Sequence, residues 1–546
     1  MSHTGRSGRF AAPLVPLLVL LAAGPAGAAV QLPANFVNEV LVTGLDQPTS
    51  MAFIPDGRLL FTEQHTGKIR LVVNGHLAAT DPVFVVPDLN GDGYERGLEG
   101  IAVDPAWPSR PFVYLHYSRL GGFCRIVRYT ATGDLSNPLG ENLSLTDPLL
   151  LIDDISDLTP DHQSGCVRFG PDGNLYVSLG EDEYYCLAAD STTLHGEIIR
   201  LKVNGLAPGP GPQVPRALIT PADNPLSTPD SNARLVWAYG LRNPWRFQPD
   251  PESRLIYASD PGESSVEEIN EIAAGDFLGW PWREGNLIMP RTDCPEPGGQ
   301  GSIAYKHPIV AMSRGSVLTA IVSAGIHRRA PGGAFNWPAT YNGDVFYGEY
   351  YSGFLWRIRK FGGTWAPAPP DSGQPDDTVW GTGLITAVDF LIGPDGSLWW
   401  LRQFDDTMSG VTGSLQRIRY TGALGDAEQS PATGVALAVR PNPSADRTEL
   451  SFRLAAPAHV RLDVYDLAGR RVRRLVDGAL GVGAQRFEWN GDGAGGRKTA
   501  PGVYLARLEH GGHVETARVL RVRYRGHVAG GDLRLIHPIE KQDGDE

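Results

Sequence analysis

Six times between residues 53 and 404 the chain repeats one short arrangement. An apolar residue leads to a proline with an aspartate or a small polar partner, and an aromatic-rich alternating run follows. The copies are FIPDGRLLFTE, VDPAWPSRPFVYLHY, FGPDGNLYVSLGE, FQPDPESRLIYASD, NWPATYNGDVFYGE and IGPDGSLWWLRQF, with their prolines at 55, 105, 171, 249, 338 and 394. Proline followed by Asp or Gly makes a tight turn, and alternation on either side makes the strands of a hairpin. A hairpin repeated roughly every 50 to 90 residues is one supersecondary unit used again and again. Repeated antiparallel sheets protect their edges best by closing into a ring. The expected fold is therefore all-β: a six-bladed β-propeller over residues 31–422.

The third copy carries candidate chemistry. In DHQSGCVRFGPDGNLYVSLGED (161–182), Val167 and Phe169 alternate into the turn and Leu175, Val177 and Leu179 alternate out. Antiparallel pairing then brings His162 beside Glu181 and Asp182. A histidine beside a carboxylate is a proton-transfer pair, or else a polar residue in a loop.

Beyond the propeller, residues 423–436 are small and polar, as a linker is. From 437 to 523, VRLDVYDLAGRRVRRLV and GVYLARLEHGG alternate around glycine-rich turns, which predicts a small Ig-like β-sandwich. Residues 524–546 form an acidic tail. At the other end, Arg6 and Arg9, the apolar APLVPLLVLLAAG and Ala26-Gly27-Ala28 read as a signal peptide over 1–28. The mature chain is expected to be secreted, periplasmic or at the cell surface, with no integral membrane segment. There Cys124, Cys166, Cys186 and Cys294 allow up to two disulfides in any of three connectivities. With 48 Lys and Arg against 61 Asp and Glu, the net charge is −13. That balance argues against a nucleic-acid partner.

Several ordered stretches carry a resemblance: ERGLEGIAVDP, HQSGCVRFGPDGNLYVSLGE, HGEIIRLKVNG, YGLRNPWRF, ASDPGESSVEEIN and GWP. Together they resemble the soluble pyrroloquinoline quinone (PQQ)-dependent sugar dehydrogenases, the glucose/sorbosone dehydrogenase family. The C-terminal stretches NPSADRTELSFRL, VYDLAGRRVRRL and APGVYLARL resemble the Ig-like domains related to the flagellar hook-capping protein, whose role is attachment or sorting. The first resemblance implies an oxidoreductase acting on an aldose or related sugar alcohol, with PQQ and Ca2+ as cofactors and an external electron acceptor. By the same resemblance His162 is the base, Glu181 orients it from a position that is usually Asp, and Arg242 and Asn243 lie beside the cofactor. The backbone carbonyls of Gly262 and Glu263 match the cofactor-side calcium ligands, and Glu268 matches a further calcium position.

Four positions depart from the family pattern. Tyr351 stands where a cofactor-holding Lys is usual, Thr386 and Val388 replace an Arg-x-Arg pair, and Glu95 replaces a Gln. Three lost cations and one added carboxylate disfavour a trianionic cofactor unless others compensate, and Arg314, Arg357 and Arg402 are the candidates. Residues Asp88, Asn90, Asp92, Gly93 and Glu99 also complete a D-x-N-x-D-G-x5-E calcium pattern, here between apparent strands, where a plain turn is the alternative. Two other functions stay open. One is a non-catalytic carbohydrate- or protein-binding propeller, as in the hedgehog-interacting branch of this fold family. The other is a calcium-dependent lactonase or esterase.

Overall fold

The computed structural model describes residues 29–422, except 316, and most of 437–522. The signal-like segment 1–28, the linker 423–436 and the acidic tail 524–546 lie outside the described residues. The chain divides between 423 and 424 into two compact units.

The proline turns build the first unit. In three copies the geometry is the same. The carbonyl of the residue before proline accepts from the glycine three residues on: Gly57 N–H donates to Ile54, Gly173 to Gly170 and Gly396 to Gly393. The aspartate side chain then accepts the N–H two residues later, from Arg58, Asn174 and Ser397 at 3.1, 3.1 and 3.0 Å. Gly57, Gly173 and Gly396 all have positive φ, which glycine adopts without penalty. The sequence repeat is thus one turn made several times over.

Each of the six copies joins the innermost two strands of a different antiparallel sheet. The innermost strands are Pro48–Phe53, Leu98–Val103, Ser164–Phe169, Phe247–Pro249, Ile321–Ile326 and Ala387–Ile392. Each packs beside the next, and the last packs beside the first, which closes a ring of six four- or five-stranded sheets, the expected propeller. The sixth sheet takes its outer strand from the start of the chain: Phe36–Leu45 pairs with Gly413–Tyr420, from Phe36 opposite Tyr420 to Leu45 opposite Gly413. Phe36 locks that closure, lying edge-on to Trp337, Trp380 and Tyr420 at 4.9, 4.9 and 5.1 Å. Such aromatic pairs each contribute about 1 kcal/mol beyond their burial.

This topology decides where a site can form. The proline turns occupy one face of the ring. The segments that enter the first strand and leave the second strand of every sheet therefore gather on the opposite face.

The second unit is a two-sheet sandwich. One sheet holds Ala438–Arg440, Thr448–Leu454 and Gly483–Trp489, and the other holds Ala458–Asp466, Arg471–Leu480, Gly502–His510 and His513–Arg521. Leu450, Phe452, Val460, Leu462, Trp489 and Leu508 fill the space between them.

Of the four cysteines, Cys186 and Cys294 form a disulfide, and Cys124 and Cys166 are free and buried. Among the described residues no helix is long and apolar enough to cross a membrane.

Candidate active site

On the face opposite the proline turns, the entering and leaving segments surround a cavity of about 490 Å³. His162 reaches its wall from just before Ser164–Phe169, and Glu181 follows Leu175–Leu179. The hairpin brings them together as its register demands, with Ser164 opposite Leu179. His162 Nδ1 lies 2.8 Å from Glu181 Oε1. A carboxylate can only accept, so Nδ1 carries the proton and Nε2 is left as the acceptor. The other Glu181 oxygen accepts from the Trp280 indole at 3.5 Å, which fixes the carboxylate in turn.

His162 has φ of +65°, a left-handed conformation that costs a non-glycine residue roughly 1 kcal/mol. Its backbone is held from both sides. The N–H donates to Glu95 Oε2 at 2.8 Å, and the carbonyl accepts from Asp182 N–H at 3.2 Å. Gly180 permits this approach, because a Cβ there would collide with the His162 carbonyl.

Glu95 also accepts from Asn243 Nδ2 at 3.1 and 2.9 Å, one contact to each oxygen. Asn243 Oδ1 accepts from Ser164 Oγ at 2.7 Å. Behind them, the Asp260 carboxyl accepts the backbone N–H groups of Arg242 and Asn243 at 2.9 and 2.7 Å. Burial pushes that carboxyl up, and the two N–H groups hold it down. Asp260, Asn243, Glu95, His162 and Glu181 thus form a continuous chain across three sheets.

Arg242, Glu95, Asn243, Tyr351, Gly262 and Glu263 line the same cavity as His162. Glu268 does not. It lies in Val266–Ile272, buried, where it accepts from the Gly285 N–H and from Asn270 Nδ2 at 3.1 Å. Burial, then the charge of Asp260, pushes its carboxyl up to about 8. Val388 lines the cavity, whereas Thr386 is buried, donating its N–H to Tyr350 and its hydroxyl to Phe404. Of the three candidate compensating cations only Arg314 reaches the cavity. Arg357 is buried against Asp371 at 2.8 Å, and Arg402 pairs with Asp406.

The charged groups on the wall are therefore Arg242 and Arg314 with Glu95 and Glu263. The cavity is of the size of small-molecule sites, and the two guanidinium groups are suitable partners for the carboxylates of PQQ. Calcium does not fit at the Gly262 carbonyl. That carbonyl, one of the two matched ligands, accepts from Arg314 Nη1 at 2.7 Å. A guanidinium on the carbonyl excludes a cation that wants roughly six to eight oxygen ligands. Nor is Glu268 joined by two further His, Cys, Asp or Glu ligand atoms. Among the described residues the group of Cys186, Asp293 and Cys294 alone brings three such atoms together, and its sulfurs form the disulfide. The Asp88–Glu99 pattern is likewise no cage. Asp88 accepts from Arg125 and Tyr117 at 2.6 and 3.0 Å, while Glu99 is wholly buried within Leu98–Val103.

Sequence reasoning passed over Asp260 and Trp280 as site residues. Asp260 sits inside the quoted ASDPGE stretch, and its position one residue before the cofactor-side loop was the available signal.

Residues 45–319 match the glucose/sorbosone dehydrogenase family, and residues 440–511 match the FlgD Ig-like domain. The aldose sugar dehydrogenase YliI of Escherichia coli is 27% identical over 296 residues, which cover 54% of this chain and 74% of that protein. Quinoprotein glucose dehydrogenase B of Acinetobacter calcoaceticus is 28% identical over 280 residues, covering 45% of this chain and 52% of that one. Hedgehog-interacting protein of Homo sapiens is 26% identical over 236 residues, covering 39% and 32%. Among solved structures, the PQQ-bound aldose sugar dehydrogenase of Streptomyces coelicolor superposes with a TM-score of 0.51 at 25% identity, covering 71% of this chain and all of that one.

Proposed function

The chain belongs to the glucose/sorbosone dehydrogenase family, and from that premise we propose that it is an exported PQQ-dependent oxidoreductase of an aldose or related sugar alcohol. The observation that carries this reading is the His162 Nδ1–Glu181 Oε1 contact at 2.8 Å on the wall of a cavity of about 490 Å³. Oxidising a sugar hydroxyl takes a proton from oxygen and a hydride from carbon. PQQ, when bound, supplies the acceptor for the hydride, and an external acceptor then takes the electrons.

The chain's own residues handle the proton. His162 Nε2 accepts it from the substrate hydroxyl, and Glu181 stabilises the resulting imidazolium through Nδ1–H. Glu95, itself held by Asn243, holds the His162 backbone where that transfer needs it. Arg242 and Arg314 face an anionic cofactor and favour charge that develops on it. No step here runs through calcium. The basic and apolar segment at residues 6–28 supports export, and the C-terminal sandwich supports attachment or sorting at the cell envelope.

A second reading, a non-catalytic binding propeller, is favoured by Tyr351, Thr386 and Val388 at cation positions. Reconstitution separates the two. The purified chain with PQQ should reduce a redox dye with one or more aldoses. PQQ without any dye reduction across the panel would favour the binding module, and hydrolysis of lactones or esters without quinone would favour a hydrolase.

A further inference from the structure

We infer that Arg314 takes the place of the cofactor-side calcium ion, so that the cavity holds its anionic quinone through Arg242 and Arg314 without a metal. The inference rests on the quinoprotein reading and goes beyond it in naming what replaces the ion.

The observation is a matched pair of contacts. In the loop that follows Ile256–Asp260, two consecutive backbone carbonyls are each capped by a guanidinium. Pro261 accepts from Arg242 Nη1 at 3.0 Å, and Gly262 accepts from Arg314 Nη1 at 2.7 Å. Gly262 is one of the two carbonyls that match the cofactor-side calcium positions, and here the cation it meets is the Arg314 side chain.

Arg314 is built into this position. It leaves the end of Val310–Ser313, and its Nε lies 3.2 Å from the buried Glu267 carboxylate. Its Nη2 donates to the Thr319 carbonyl at 3.3 Å. Glu267 is itself fixed by the Ile321 N–H at 3.1 Å and the Thr319 hydroxyl at 3.1 Å. Three of the five guanidinium N–H groups are spent on Gly262, Thr319 and Glu267, which leaves one on each terminal nitrogen for a ligand. Those two suit a carboxylate or a quinone oxygen. A guanidinium stays charged throughout the working pH range, so it polarises a ligand oxygen as a fixed cation does, without exchange and without response to chelators.

The same placement explains the empty cation positions. Tyr351 and Val388 line the cavity without charge, and Arg314 approaches it from a different sheet.

The test is PQQ binding to the full chain, followed by quenching of tryptophan fluorescence, in excess EGTA and in excess calcium. Wild type should bind equally in both. Arg314→Ala should lose on the order of tenfold or more in affinity in EGTA, as expected for a lost charge-assisted contact, and calcium should restore most of it. Arg314→Lys, which keeps the charge, should bind at an intermediate level if the alanine variant misfolds. Wild-type binding that needs calcium would overturn the inference and leave the quinoprotein reading standing. Unchanged affinity in Arg314→Ala in EGTA would also overturn it. No PQQ binding in either condition would overturn both.

Discussion

Glu95 accepts the backbone N–H of His162 at 2.8 Å with the same carboxylate that takes both contacts of the Asn243 amide. A residue that adds negative charge to an anion-binding cavity thereby secures the residue proposed as the base. Its charge is spent largely on N–H groups of the protein.

Removing that carboxylate should therefore harm more than it helps. Glu95→Ala leaves the His162 N–H and the Asn243 amide without their acceptor and frees a strained backbone. We expect a stability loss of about 2–3 kcal/mol and turnover slowed by on the order of tenfold or more. Thermal unfolding and the dye-reduction rate check the two effects separately. Glu95→Gln, which keeps one acceptor oxygen, should fall between.

The buried carboxyl of Glu268 gives a pH dependence with a definite sign. Its folded value, about 8, lies above the ordinary 4.5. Between those values the folded chain keeps a proton that the unfolded chain has released, so this group's contribution falls as pH rises across that window. It is fully present below about pH 4.5 and lost above about 8. Glu268→Gln should flatten the decline, so the stability difference between variant and wild type should grow in the variant's favour from pH 5 to pH 8.5. Denaturant unfolding at several pH values measures it.

The turn repeat shows how much was legible in the sequence. In three copies Pro-Asp-Gly fixes φ, supplies a side-chain acceptor and allows a positive φ, so each of those copies specifies its hairpin locally. Pairing across one hairpin likewise made the His162–Glu181 contact readable. Arg314 was nameable only as one of three cations, because its meeting with Gly262 depends on how the strand end at Ser313 falls beside a loop some fifty residues earlier in sequence. Glu268 matched a calcium position in sequence, but its partners, the Gly285 N–H and the Asn270 amide, supply donors where a cation would need acceptors. Motif identity does not carry the surroundings of a carboxylate.

The disulfide joins positions 108 residues apart, so it restricts the unfolded chain over a long loop. Reduction, or Cys186→Ser, should destabilise the first unit by about 2–5 kcal/mol. Burial pushes the Cys124 and Cys166 thiols up, which makes both unreactive in the folded chain. A thiol reagent without reductant should label neither until the protein unfolds, and then label both.

The most direct test of the central claim is single-turnover reduction of PQQ in the loaded protein by an aldose, compared between wild type and His162→Ala. The account predicts unchanged PQQ affinity with reduction slowed by roughly 10²- to 10⁴-fold, the range for loss of a general base. Reduction at the wild-type rate in the variant would contradict it.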